Sequence, residues 1–198
     1  KILTGRKEAY LDAEHFKDVT GYTNPNESKH DMFTIGHTST SISLALGLAE
    51  GRDLNKGHEN IIAVIGDGSL SGGEALEALD YAGEYKNNFI IVINDNDQSI
   101  AENHGGIYKT LKELRENNGE SNHNMFKAFG LEYKYLDDGH NIEKLIELLI
   151  IKNNSKAQIK IEDLYKYKIE NINIKTQVAI DRKNRLDLLI EFKINNKK

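Results

Sequence analysis

The chain has 198 residues, with 26 Lys and Arg against 31 Asp and Glu, and a formal net charge of −5. This length allows one sizeable core, or one domain with an appendage. The acidic balance argues against nucleic-acid binding, since phosphate backbones need a basic surface. No apolar run reaches the roughly 20 residues that span a bilayer. The chain has no cysteine and so has no need of an oxidising compartment. These features favour a soluble intracellular globular protein.

The first predicted elements are a loop-rich segment and a helix. Residues 1–35 contain many turn formers and weak periodicity, which indicates a loop-like approach segment. The small polar residues of GHTSTSIS precede leucines at helical spacing, as at a helix N-terminus. We predict a helix over 39–50, ended by Gly51.

A β-α-β unit follows. Ile61–Ile65 is a continuous apolar run of mostly β-branched residues, typical of a strand buried on both faces. The spacing of apolar residues predicts a helix over 71–84, and Phe89–Ile93 is a second buried strand. Strands connected in this way are almost always parallel, with a right-handed crossover.

Further elements continue the alternation. We predict a helix over 107–116, a helix that ends at Gly130, a strand over Glu132–Tyr135 and a helix over 141–152. Alternating strands and helices indicate an α/β fold, a mainly parallel sheet flanked by helices.

The composition changes after residue 152, where Lys, Asn and Ile dominate and glycine disappears. We therefore predict one domain over 1–152 and leave 153–198 unassigned. The segments IKI, INI and QVAI fit strands or a charged helix, and RLDLLIEF fits a helix or an edge strand.

Two polar clusters, GDG at 66–68 and NDN at 94–96, each follow a predicted strand. Ligands of open parallel sheets bind outside the carboxyl ends of the strands. Asp67 and Asn96 are 29 residues apart, which one helix and a returning strand account for. Carboxylate and amide oxygens suit Mg²⁺, while Gly68 and Ser69 allow close approach of a diphosphate. The pattern predicts a metal-diphosphate site, although each cluster taken alone is a common turn.

Four ordered blocks make the sequence resemble a known family. KILTGR, GHTSTSIS, GDGSLSGGEALEAL and NDN.QSIAEN are similar, in this order, to segments of the 1-deoxy-D-xylulose-5-phosphate synthases. These are transketolase-like enzymes that use thiamine diphosphate. The resemblance covers about residues 1–152 and implies the diphosphate-binding domain of such an enzyme.

The resemblance also implies roles for individual residues. Mg²⁺ would be bound by Asp67, Asn96 and the main-chain oxygen of Gln98, where the family often has Met. Residues matching segments that contact the cofactor are Gly36, His37, Thr38, Gly68, Ser69 and Asn96. Thr38 departs mildly from the more usual Ser or Ala. Lys1 and Arg6 fit either a substrate phosphate or solvated surface charge.

The implied activity is the Mg²⁺-dependent condensation of pyruvate with D-glyceraldehyde 3-phosphate, with decarboxylation, to 1-deoxy-D-xylulose 5-phosphate. This product leads to isoprenoids and thiamine. The family pattern further implies a homodimer, no membrane or nucleic-acid partner, and a bacterial cytoplasm or a plastid-type organelle.

The activating glutamate of such enzymes has no counterpart in this chain, which we expect to be truncated and inactive by itself. Two alternatives stay open at this point. One is another thiamine-diphosphate enzyme, such as a transketolase or a 2-oxo-acid dehydrogenase component. The other is a non-catalytic α/β nucleotide-binding module.

Overall fold

The computed structural model describes residues 1–97, 102–152, 175–180 and 186–191. The chain forms two compact units, Lys1–Gly36 with Ile159–Lys198 and, separately, His37–Gln158. The boundary expected at residue 152 stays a prediction.

Described elements of four or more residues are short helices, longer helices and four strands. In chain order they are α1 (Glu8–Leu11), α2 (Ser41–Leu54), β1 (Ile62–Gly66), α3 (Asp67–Leu70), α4 (Gly73–Glu84), β2 (Ile90–Asn94), α5 (Gly106–Glu116), α6 (Met125–Ala128), α7 (Ile142–Lys152), β3 (Lys175–Ile180) and β4 (Leu186–Glu191). None of the helices among the described residues is long and apolar enough to cross a membrane.

The predicted β-α-β unit is confirmed. β1 and β2 pair in parallel, with Ile62 opposite Ile90 and Gly66 opposite Asn94. The helices α2 and α4 pack on each other, and α2 packs on β1. Two strands with the intervening helix are the repeating unit of the α/β class, so the fold class agrees with the sequence.

One core cluster lies in the unit formed by residues 37–158. It joins apolar side chains of α2, β1, α3, α4, α5 and α6, all of them buried: Ile42, Ala45, Leu46, Ala63, Ile65, Leu70, Ala75, Ala78, Leu79, Ala82, Leu111, Leu114 and Phe126. Gly83 permits a close approach, because a Cβ there would lie 1.8 Å from the main-chain oxygen of Phe129. Buried side chains of β1 and α3 thus hold the chain on both sides of the GDG cluster.

The expectation that β1 is buried on both faces is wrong. Ala63 and Ile65 are 2% and 3% exposed, whereas Ile62 and Val64 are 46% and 62% exposed. Successive side chains of a strand point to opposite faces, so one face of β1 enters the core and the other does not. A run of β-branched residues does not reveal this, because the partners of each face come from distant parts of the chain.

Three local predictions also need correction. The helix over 39–50 continues through Gly51 to Leu54, held by the burial of Ala49 and Arg52 in its last turns. The GDG segment is no simple turn, since Asp67 begins the helical turn α3 directly after β1. Glu132–Tyr135 forms no strand; there the ring of Tyr133 stacks on Phe126, with centroids 5.4 Å apart.

Other predictions are confirmed. The helices expected over 107–116 and 141–152 are α5 and α7. The approach segment has only short helical turns and one isolated bridge, Thr23 to Ile35. The choice between strand and helix that the sequence left open for QVAI and RLDLLIEF is decided for strands, since QVAI lies in β3, RLDLLIEF contains β4 and the two pair antiparallel. The proposed strands at 159–161 and 172–174 lie outside the described residues.

Candidate functional site

Two polar strand ends meet at one edge of the parallel pair. Gly66 and Asn94 are register partners, so Asp67 follows directly after one strand and Asp95 after its neighbour. Asp67 is 2% exposed, although it is the first residue of a helical turn at the edge of the sheet. Asn96 lies one residue beyond Asp95 and is exposed. The two strand ends therefore lie side by side, as the sequence predicted.

The carboxylate of Asp67 is in an electrostatically unfavourable position. Burial raises its pKa, and the negative charge of Asp95 raises it further. Hydrogen bonds oppose this shift, among them the 2.8 Å bond that the side-chain amide of Asn103 donates to Asp67 Oδ2. A buried carboxylate repelled by a second one is stabilised by a bound cation, so the donor set fits a hard divalent ion such as Mg²⁺.

The segment 37–40 lies against the turn that follows α3. A Cβ on Gly72 would come within 2.2 Å of Ser39 Oγ, so only glycine fits there without displacement. Ser39 itself has a left-handed backbone, with φ of 71°. Ser43 of α2 donates a hydrogen bond to the carboxylate of Glu74 in α4, which joins the helices that follow these two segments. Two of the motifs recognised in the sequence are thereby brought together in one unit.

His37 and Thr38 begin this segment and are both exposed. His37 Nδ1 lies 2.6 Å from the main-chain oxygen of Thr38, and a carbonyl oxygen only accepts. This contact selects the neutral tautomer with the proton on Nδ1, in which Nε2 is an acceptor. An exposed, oriented imidazole of this kind can receive a hydrogen bond from a ligand.

Gly68 and Ser69 lie within α3 and are half-buried. The main-chain oxygen of Gly68 accepts a hydrogen bond from Ser71 Oγ at 3.1 Å, which closes the turn. Gly36 is the last residue of the other unit, where a Cβ would lie 3.6 Å from the ring of Tyr22. Gln98 lies outside the described residues. Within the described part of the chain, no group of three or more His, Asp or Glu side chains could hold a metal ion.

Sequence reasoning missed two polar residues that the structure places at this edge. Asn103 donates to Asp67, as described above, and Arg115 on α5 pairs with Asp95 at 2.5 Å. Asn103 was within the NDN.QSIAEN block, but the block does not say which of its side chains turns back to GDG. Arg115 gave no signal, because it is one of several charged residues on an amphipathic helix.

Lys1 and Arg6 are not solvated surface charges. Lys1 Nζ lies 2.5 Å from Glu27 Oε2, and Arg6 pairs with Asp31 at 2.6 Å. The side chains of both cations are 11% exposed. Their charges are compensated within residues 1–36, which argues against the alternative of a substrate-phosphate site.

Comparisons with known proteins agree with this architecture. Residues 1–124 match the family model described as 1-deoxy-D-xylulose-5-phosphate synthase. The 1-deoxy-D-xylulose-5-phosphate synthase of Clostridium beijerinckii is 51% identical over 115 residues, 58% of this chain and 19% of the relative. That of Macrococcus caseolyticus is 43% identical over 143 residues, 72% of this chain and 22% of the relative. That of Clostridium kluyveri is 40% identical over 190 residues, 95% of this chain and 29% of the relative.

The parallel β-α-β unit with its packed helices places residues 37–152 in the α/β class. The chain belongs to the 1-deoxy-D-xylulose-5-phosphate synthase family, as the resemblance of the four blocks implied. This membership disfavours both alternatives left open by the sequence. The chain spans between 18% and 32% of the length of the curated relatives it matches.

Proposed function

We propose that this chain is the diphosphate-anchoring part of an enzyme that uses thiamine diphosphate and Mg²⁺. The enzyme condenses pyruvate with D-glyceraldehyde 3-phosphate, with loss of CO₂, to 1-deoxy-D-xylulose 5-phosphate. The observation that carries the proposal is the buried carboxylate of Asp67 at the joint end of β1 and β2. A bound cation would stabilise its charge, and it lies in the region that matches the family.

In this proposal the cation is held by Asp67, by the side chain of Asn96 and by the main-chain oxygen of Gln98. Oxygens of the diphosphate complete its shell, as is usual for Mg²⁺. Asn103 orients Asp67 through its 2.8 Å hydrogen bond. Burial of Asp67 keeps water away and so strengthens its attraction for the cation.

The diphosphate itself would be bound by two segments. Gly68 and Ser69 offer backbone and a hydroxyl beside Asp67, and His37 and Thr38 precede the segment that packs on Gly72. Gly36 completes the set by family resemblance. The cofactor, when bound, supplies the electron sink for decarboxylating pyruvate and passing its two-carbon unit to the aldehyde.

The chain by itself is proposed to be inactive, because no residue in it corresponds to the activating glutamate of the family. Turnover by the isolated 198-residue chain would contradict this. We further infer a homodimer, a role in isoprenoid and thiamine biosynthesis, and a cytoplasmic location. The first two follow the family pattern, and the third is supported by the bacterial relatives. A plastid-type organelle replaces the cytoplasm if the source is eukaryotic.

Titration calorimetry tests the proposed cofactor. We expect thiamine diphosphate to bind in the presence of Mg²⁺ and not in the presence of a chelator. Asp67→Ala should abolish this binding, since it removes the one charged ligand. Asp80→Ala, which removes an exposed aspartate from α4, is the matched control and should bind as the original chain does. Binding of a nucleotide without binding of thiamine diphosphate would overturn the proposal.

A further inference from the structure

Arg115 bridges the two carboxylates that flank Asn96. Its Nη1 atom lies 2.5 Å from Asp95 Oδ1, and its Nη2 atom lies 3.0 Å from Asp97 Oδ1. Asp95 and Asp97 are the chain neighbours of Asn96, one on either side. The guanidinium of one residue on α5 therefore ties down both sides of the proposed ligand.

The backbone of the turn that carries Asn96 has an unusual conformation. Asp97 has a left-handed backbone, with φ of 56°, which residues other than glycine adopt uncommonly. The main-chain N–H of Asp97 reaches Asp95 Oδ1 only at 3.4 Å. The planar fork of Arg115 holds two carboxylates at once, which a single ammonium group does not do.

The same contacts set the charge balance of the site. Arg115 pairs with the carboxylates of Asp95 and Asp97, and the charge of Asp95 also acts on buried Asp67. Burial is the largest single influence on the pKa of Arg115 and lowers it, but the hydrogen bonds and charges of Asp95 and Asp97 together outweigh burial and leave the pKa raised. Arg115 thus stays charged. A group of free carboxylates binds divalent cations without any help from a ligand phosphate.

We propose that Arg115 is a positioning and selectivity residue of the cation site. It occupies Asp95 and Asp97 so that neither coordinates the cation, and it fixes the turn that presents Asn96. Cation binding then depends on the diphosphate, because Asp67 is left as the one available carboxylate. This inference rests on the proposed function, in which Asp67 and Asn96 hold Mg²⁺.

The test compares Arg115→Gln with Lys112→Gln in the full 198-residue chain. Both changes remove one positive charge from α5, but Lys112 is exposed and pairs only weakly, at 3.7 Å, with Glu116. Two quantities are measured: Mn²⁺ affinity without cofactor, by the electron paramagnetic resonance of free Mn²⁺, and thiamine diphosphate affinity with saturating Mg²⁺, by calorimetry. Thermal melting confirms that each variant is folded.

We expect the two affinities of Arg115→Gln to change in opposite directions. Cofactor-free Mn²⁺ binding should tighten by about tenfold, the effect of removing a cation a few ångströms away. Thiamine diphosphate binding should weaken by about tenfold, because the turn of Asn96 is no longer fixed. Lys112→Gln should change neither by more than about twofold, since its charge is screened by solvent.

The opposite signs separate this role from a structural one, which would weaken both kinds of binding. Adding Asp97→Asn to Arg115→Gln should reverse part of the gain in Mn²⁺ affinity. If Arg115→Gln does not fold, Arg115→Lys replaces it, and a lysine that holds one carboxylate should raise cofactor-free affinity about threefold.

Parallel losses, or equal changes in the Lys112 control, would overturn the inference. A chain that binds no thiamine diphosphate would contradict the proposed function. The cofactor-free Mn²⁺ comparison would still decide whether Arg115 withholds the two carboxylates from cations.

Discussion

An arginine from a neighbouring helix lies at each end of the β1–β2 pair, Arg52 of α2 at one end and Arg115 of α5 at the other. The two ends differ in how their charges are compensated. At the starting end, buried Arg52 donates to the main-chain oxygens of Glu59 and Asn88, at 2.9 and 2.7 Å. It also donates to the hydroxyl of Tyr85 at 3.0 Å and to Asp53 at 2.8 Å. The guanidinium thus pairs with one carboxylate and donates hydrogen bonds to polar groups near the start of both strands.

At the other end, Arg115 is shared by Asp95 and Asp97, and the partners that the described residues give to buried Asp67 are hydrogen-bond donors such as Asn103. The starting end is fully compensated and serves the stability of the fold. The carboxyl end has excess negative charge in a buried position, which a bound cation would relieve. The unfavourable charge of Asp67 thus lies at the end of the sheet where a ligand is expected to bind.

The largest effect should come from the compensated end. Arg52→Met should lower the free energy of unfolding by about 2–3 kcal/mol, because it removes a buried guanidinium whose hydrogen bonds join the segments that precede the two strands. Urea denaturation measures this. Lys86→Met, which removes an exposed cation near the end of α4, is the control and should cost less than about 0.5 kcal/mol. A loss below about 1 kcal/mol for Arg52→Met would mean that water replaces these contacts, and the comparison between the ends would break.

A gain in stability is expected at the carboxyl end. Asp67→Asn keeps an oxygen that can accept from Asn103 but removes the buried charge. At pH 7 and without cofactor, the melting temperature should rise by roughly 2–4 °C, the shift that about 1 kcal/mol produces at this chain length. Asp80→Asn, on the exposed side of α4, should leave it unchanged.

The pH dependence of this gain has a definite sign. The pKa of Asp67 is raised above its ordinary value of 3.8 by burial and by Asp95. The folded state therefore binds the proton more tightly than the unfolded state does, and stability falls as pH rises through the folded pKa. Melting temperatures of the original chain and of Asp67→Asn should agree below pH 3.8 and diverge above it. A difference that is constant with pH would contradict the buried-charge explanation.

The smallest effect, with the opposite sign, is expected in the unit of residues 1–36. Glu27 accepts from Lys1 and from the main-chain N–H of Thr20, and these bonds lower its pKa to about 2. Its contribution to stability is complete above the ordinary value of 4.5 and is lost as pH falls from there towards 2. Amide exchange at Thr20 should accelerate over this range in excess of the intrinsic rate, and Glu27→Gln should show fast exchange throughout. Equal protection in both would show that the lysine contact is not what orders this loop.

Much of the fold was predictable because it depends on local patterns. The apolar spacing in α4 and α5 and the β-branched runs of β1 and β2 are properties of short segments, and each gave the right element. The failures have a common cause. Gly51 stays helical because Ala49 and Arg52 are buried, and Glu132–Tyr135 forms no strand because Tyr133 packs on Phe126. In each case packing of side chains outweighs a local preference.

The sequence by itself determined the family, the parallel β-α-β unit and the polar residues at its edge, because motif order and periodicity are written along the chain. Only the tertiary structure decided the electrostatics of that edge. Register brings the end of β1 beside the end of β2, burial removes water from Asp67, and packing of α5 brings Arg115 to Asp95 and Asp97. Charge interactions depend on distance and solvent exposure, and neither is encoded in any short stretch of residues.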